Sequence, residues 1–167
     1  MSMPFLLFVD SDLQNPSKDI PQDFQILIHQ QQQYLLDAII KEGYTVRHSC
    51  NLHSVQDHDL YHHQGLITHF PQNPDKRTYT EKLFHPQIIP EYKISLEIIA
   101  GIKQTFPQLN ILVYDGLSHY KEVDACLECL SIPVIRKDDL RKDVEKIKSY
   151  LKQWQKQVLS KHAQQAS

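Results

Sequence analysis

A chain of 167 residues with 41% hydrophobic and 23% charged residues has the size and balance of one globular domain built on one core. Its formal net charge of -2 supplies no broad attraction for nucleic acid or an anionic membrane, and no apolar run approaches the roughly 20 residues that span a bilayer. Three cysteines, Cys50, Cys126 and Cys129, form an odd set with no secretion signal ahead of them, which argues against a disulfide framework and for a reducing, cytoplasmic setting.

The run "FLLFV" at 5–9, ended by "DSD", reads as a strand buried on both faces and therefore as the centre of a parallel sheet. Phe24, Leu27, Ile28, Leu35, Ala38 and Ile39 then recur at helical spacing, and "KEGYTV" places a glycine stop before a second strand. A weaker amphipathic stretch around Leu52, Val55 and Leu60 leads into "GLITHF", the third strand, and "SLEIIAGIKQTF" is the helix that follows a long loop. "NILVYDG" at 110–116 is the fourth strand and "YKEVDACLECL" the fourth helix, with Val123, Leu127 and Leu130 as its apolar stripe. Cys126 and Cys129 of "CLEC" are expected to join that stripe as buried small hydrophobes rather than to form a redox or metal pair.

"IPVIRKDD" supplies a fifth strand ending at Lys137, with Asp138 or Asp139 as N-cap of a last helix marked by Leu140, Val144, Ile147, Leu151, Trp154 and Val158. Five strands alternating with five helices predict an α/β protein: a flavodoxin-like three-layer sandwich around a five-stranded parallel sheet of order 2-1-3-4-5. Residues 3–159 form the domain on this reading, with long loops at 13–23 and 71–93 and a disordered tail at 160–167.

In order and spacing, "FLLFVDSD", "LLDAIIKEGYTV", "SLEIIAGIKQTFPQLNILVYDG" and "IPVIRKDDLRKDVEKI" resemble the receiver domains of two-component response regulators over about residues 3 to 150. The resemblance implies an acidic pair after the first strand that holds a divalent cation, an aspartate at the end of the third that accepts a phosphoryl group, a hydroxyl after the fourth and a lysine after the fifth. Asp10 matches the first acid. The second falls on Ser11 unless Asp12 takes its place, so Asp10 and Asp12 are only weak metal candidates. Lys137 matches the lysine, and Tyr114 or Asp115 stands where the hydroxyl is expected. The acceptor position falls on Ile67, Thr68 or His69, none a carboxylate, so the resemblance is to a degenerate, pseudo-receiver form.

Asp10, Asp12, Thr68, His69, Asp115 and Lys137 are thus the candidate pocket at the carboxyl edge of the sheet, where open α/β sheets bind ligands. Asp10 and Asp12 equally fit a loop-capping role, and Lys137 is expected to pair with the Asp10 or Asp115 carboxylate and close the pocket. Six of the ten histidines lie between 48 and 69. His58 and His62 are four apart, but no second ligand pair follows, and a solvated polar helix explains them as well. The steps of four and three in the last helix make Leu151, Trp154 and Val158 a candidate interface for a homodimer, with core packing as the other reading. These features predict a phosphorylation-independent regulatory module that binds another protein, with no cofactor. The competing reading is a small-ligand binder or enzyme using the carboxyl edge, against which stands the lack of a glycine-rich phosphate loop or nucleophile elbow.

Overall fold

A computed structural model describes residues 5–9, 22–49, 52, 55, 60–61, 63–70, 89–115 and 121–166. In chain order these form β1 (Phe5–Val9), α1 (Gln22–Lys41), β2 (Thr45–Ser49), β3 (His63–Phe70), α2 (Ile89–Thr105), β4 (Asn110–Asp115), α3 (Lys121–Cys129), β5 (Val134–Arg136) and α4 (Leu140–Ala166). All pairings are parallel, and the sheet runs β2-β1-β3-β4-β5. Of the stretch expected as a second helix, only Leu52, Val55, Leu60 and Tyr61 are described, and Leu52 and Leu60 are buried.

The period-2 pleat divides the core into two layers. Gly65, Ile67, Leu112, Tyr114 and Ile135 stand on the sheet face covered by α1 and α4, where Leu35, Ile39, Val144, Ile147, Leu151 and Trp154 pack with them. Leu66, Ile111 and Val113 stand on the other face, against Ile99 of α2 and Val123 and Leu127 of α3. Both faces of β3 and β4 are therefore dry, which is why these strands read as nearly continuous apolar runs.

Local signals explain where the helices stop and start. Gly43, at φ 90, follows α1 in the left-handed region that only glycine enters cheaply, and its N–H bonds the Ile40 carbonyl. At the other end of the sheet, Asp139 caps α4, its Oδ1 accepting from the N–H groups of Arg141 (3.0 Å) and Lys142 (3.4 Å). Helix α2 begins at Ile89, inside the segment 71–93 expected as loop. Pro90 suits a first helical turn, whose N–H groups have no intrahelical partner. Residues 160–166, expected as a disordered tail, are the last turns of α4; "SKHAQQA" holds good helix formers and no breaker.

The interface expected at Leu151 and Trp154 is corrected, since both belong to the domain's own core, at 0% and 4% exposure, and only Val158 is half-buried. Room for the indole comes from Gly65: a Cβ there would lie 2.5 Å from Trp154 Cζ3 and 2.8 Å from Cε3. Two further bonds tie α4 to the α1–β2 turn. The Tyr44 hydroxyl donates to the Leu151 carbonyl at 2.9 Å, and Gln155 Nε2 donates to the Glu42 carbonyl at 2.7 Å.

Gly65→Ala is expected to cost about 1–3 kcal/mol in urea unfolding, because a ring held in a packed core cannot withdraw as a flexible side chain would. Adding Trp154→Leu should make the double variant cost less than the sum of the two single changes. Burial, followed by the Glu42 charge, pushes the Tyr44 phenol from 10 up to about 12. The folded state holds that proton more tightly than the unfolded chain. Stability from this group is therefore complete below pH 10 and is lost as pH rises from 10 towards about 12. Tyr44→Phe should flatten that part of the stability–pH curve when compared with the wild type.

Candidate functional site

The sheet register sets the carboxyl edge. Val9 is level with Thr68 and Thr68 with Val113, so β3 and β4 run two residues beyond β1, His69 pairing with Tyr114 and Phe70 with Asp115. At β5, Ile135 is level with Tyr114 and Arg136 with Asp115, which delivers Lys137 just past the strand end. Asp10 and Asp12 lie outside the described residues, as do His58 and His62, and for His69 and Asp115 only the backbone is described.

Thr68 and Tyr114 do not share a pocket. Thr68 has the parity of Leu66 and is level with Val113, so it belongs to the layer of α2 and α3, where it is completely buried. Tyr114 is buried in the opposite layer, beneath α4. Of the two candidate pocket residues whose side chains are described, Thr68 and Lys137, it is Lys137 that stands at the Tyr114 side of the edge: its Nζ lies 5.0 Å from the ring centroid, a cation–π distance. An aromatic face takes part in holding this ammonium; the carboxylates of Asp10 and Asp115, its expected partners, lie outside the described side chains.

Beneath the ring lies a residue that the sequence reading overlooked. The Tyr114 hydroxyl donates to Asp143 Oδ2 at 3.2 Å, and the Asp138 N–H donates to the same oxygen at 2.9 Å. Asp143 is only 1% exposed although it carries a carboxylate, and its Oδ1 has no hydrogen-bond partner among the described residues. The signal was its position: in the first turn of α4, one residue before Val144, it falls on the stripe that faces the sheet. A polar group in that place needs a partner, and the tyrosine hydroxyl and the turn after β5 provide one. Cation, ring, hydroxyl, carboxylate and backbone amide thus form one connected set joining β4, the turn after β5 and α4.

Beside it, the Arg136 guanidinium pairs with Asp124 of α3, so β5 is bonded to α3 and the turn after it to α4. Cys126 and Cys129 are exposed, which corrects their expected burial. Among the described side chains of α3, Val123 and Leu127 carry the buried stripe, and the two thiols fall outside that arc. No metal-binding group of three or more histidine, cysteine, aspartate or glutamate side chains occurs among the described residues.

The arrangement is similar to that of solved receiver domains. A CheY-like response regulator receiver domain protein from Methanospirillum hungatei JF-1 superposes with a TM-score of 0.56 at 15% identity, over 93% of this chain and 99% of that one. A response regulator receiver domain from Clostridium thermocellum gives 0.57 at 13% identity, over 93% and 99%. A signal receiver domain from Vibrio parahaemolyticus gives 0.58 at 13% identity, over 95% and 98%. The chain has the receiver fold. No protein-family model matches it, and no curated protein matches it in sequence. On the receiver fold, the end of β3 here offers a buried threonine and a histidine position, and the edge carries the Lys137–Tyr114–Asp143 set.

Tyr114→Phe is expected to cost about 1–3 kcal/mol in urea unfolding, because it removes a donor from a buried carboxylate that then keeps only the Asp138 amide. Lys137→Gln should cost less than about 1 kcal/mol, since the ammonium it removes is exposed.

Proposed function

We propose that this chain is a receiver-like regulatory module of the cytoplasm that acts by binding another protein, without phosphoryl transfer at the end of β3. The observation that carries the reading is Thr68. It is fully buried, level with Val9 of β1 and two residues before the end of β3, and offers a neutral hydroxyl where an acyl phosphate would need a carboxylate. Neither neighbouring position, Ile67 or His69, supplies one.

The edge set supports the same reading. In a receiver, an ammonium after β5 serves charge developed on a phosphoryl group. In this chain Lys137 rests over Tyr114, whose hydroxyl is engaged with Asp143, so the groups are occupied with one another. A surface held in one conformation by internal bonds needs no covalent switch to be recognised. Among the described residues, no helix is long and apolar enough to cross a membrane.

Incubation with a small acyl phosphate donor and magnesium, followed by intact mass measurement, is expected to show no stoichiometric phosphoryl adduct. An adduct mapped to residues 67–69 would overturn the reading. Affinity capture of the purified chain's partners should yield the same protein for the wild type and for Thr68→Val, since a buried hydroxyl without chemical duty contributes nothing to recognition.

A further inference from the structure

Cys126 and Cys129 are the two thiols that the fold leaves on the surface of α3, three residues apart and ending the helix. Side chains at this spacing share a helix face, with Cβ atoms about 5–6 Å apart. A disulfide requires about 3.5–4.5 Å between its Cβ atoms, so closing one would distort the last turn. That turn is held firmly. The Ser131 N–H bonds the Glu128 carbonyl at 2.9 Å, the Ile132 N–H bonds the Leu127 carbonyl at 2.9 Å, and Leu127 packs in one cluster with Ile132. Two thiolates bound to one soft cation make a different demand. With metal–sulfur bonds of about 2.3 Å and tetrahedral angles, their sulfurs sit about 3.8 Å apart, which side-chain rotation from Cβ atoms at helical spacing can reach without moving the backbone.

The electrostatics also favour a cation. The site lies at the negative end of the helix dipole, no basic residue stands in the last turn, and the exposed Glu128 lies between the two cysteines in sequence. We propose that Cys126 and Cys129 form a bidentate thiolate site for a thiophilic divalent cation of the zinc and cadmium class. The chain supplies two ligands and water completes the coordination. Binding converts two thiols and one aquated cation into a neutral dithiolate complex with release of two protons, and no redox partner is involved. With two of its four positions open, the site exchanges its ion readily with other thiols.

The proposal rests on the α3 surface alone and is independent of the proposed function. It is tested on the full chain in the Cys50→Ser background, titrated with cadmium under reducing conditions. Thiolate-to-cadmium charge-transfer absorption measures binding, and a pH-indicator dye measures proton release. The expected result is one cadmium and about two protons per chain. Adding Cys126→Ser or Cys129→Ser should each weaken binding by about tenfold or more, with an unchanged near-ultraviolet circular dichroism spectrum. Both positions are exposed, so loss of the signal with the fold intact assigns the ligands. Unaltered affinity in either serine variant, or no charge-transfer band in the Cys50→Ser parent, would overturn the site.

Discussion

The seating of Trp154 on Gly65 is the contact on which the carboxyl edge depends. β3 is the middle strand of the sheet, and a side chain at Gly65 would hold α4 away from it. With the indole against the backbone, α4 lies close enough for Leu151 to reach full burial and for its carbonyl to accept from Tyr44. The same placement brings the first turn of the helix over β4, where Asp143 meets the Tyr114 hydroxyl. A packing event in the middle of α4 thus places a polar contact about three turns earlier in the same helix.

That contact is costly to leave incomplete. A carboxylate at 1% exposure gives up its water, and two hydrogen bonds to one oxygen recover part of the loss. The recovery requires β4, the turn after β5 and the start of α4 to hold their positions together. Such a set adds conformational definition more than net stability, because an apolar replacement of the whole group would avoid the desolvation penalty altogether.

The pleat imposes a second constraint. Because Thr68 and Tyr114 stand on opposite faces, the buried threonine of β3 and the lysine over the Tyr114 ring are separate features of one edge. The edge is joined outward to α3 through Arg136 and Asp124, and α3 carries its two thiols beyond the buried stripe. The receiver fold therefore provides this chain with a rigid frame whose chemistry differs from residue to residue along its rim.

Much of the frame was legible in the amino-acid order. Continuous apolar runs identify β1, β3 and β4, because strands covered on both faces cannot tolerate alternation with polar residues. Gly43 and the acids before Leu140 mark one helix end and one helix start, because capping is decided within a few residues of chain. Pro90 reads as loop in the sequence because proline signals both an interruption and a first helical turn, and the helix that continues to Thr105 distinguishes them. The heptad-like steps through Leu151 and Trp154 identify an apolar stripe but not its partner; whether that partner was a second chain or the sheet was decided by the missing Cβ of Gly65, far away in sequence. Cys126 and Cys129 likewise sit near an apolar stripe in order and outside it in space. What the sequence determined by itself was local: strand and helix identity, caps, and the lack of a carboxylate at Ile67, Thr68 and His69. What only the tertiary structure decided was pairing at a distance, including Lys137 over Tyr114, Tyr114 on Asp143 and Trp154 on Gly65, because such contacts depend on how α4 docks against a sheet whose strands come from the whole chain.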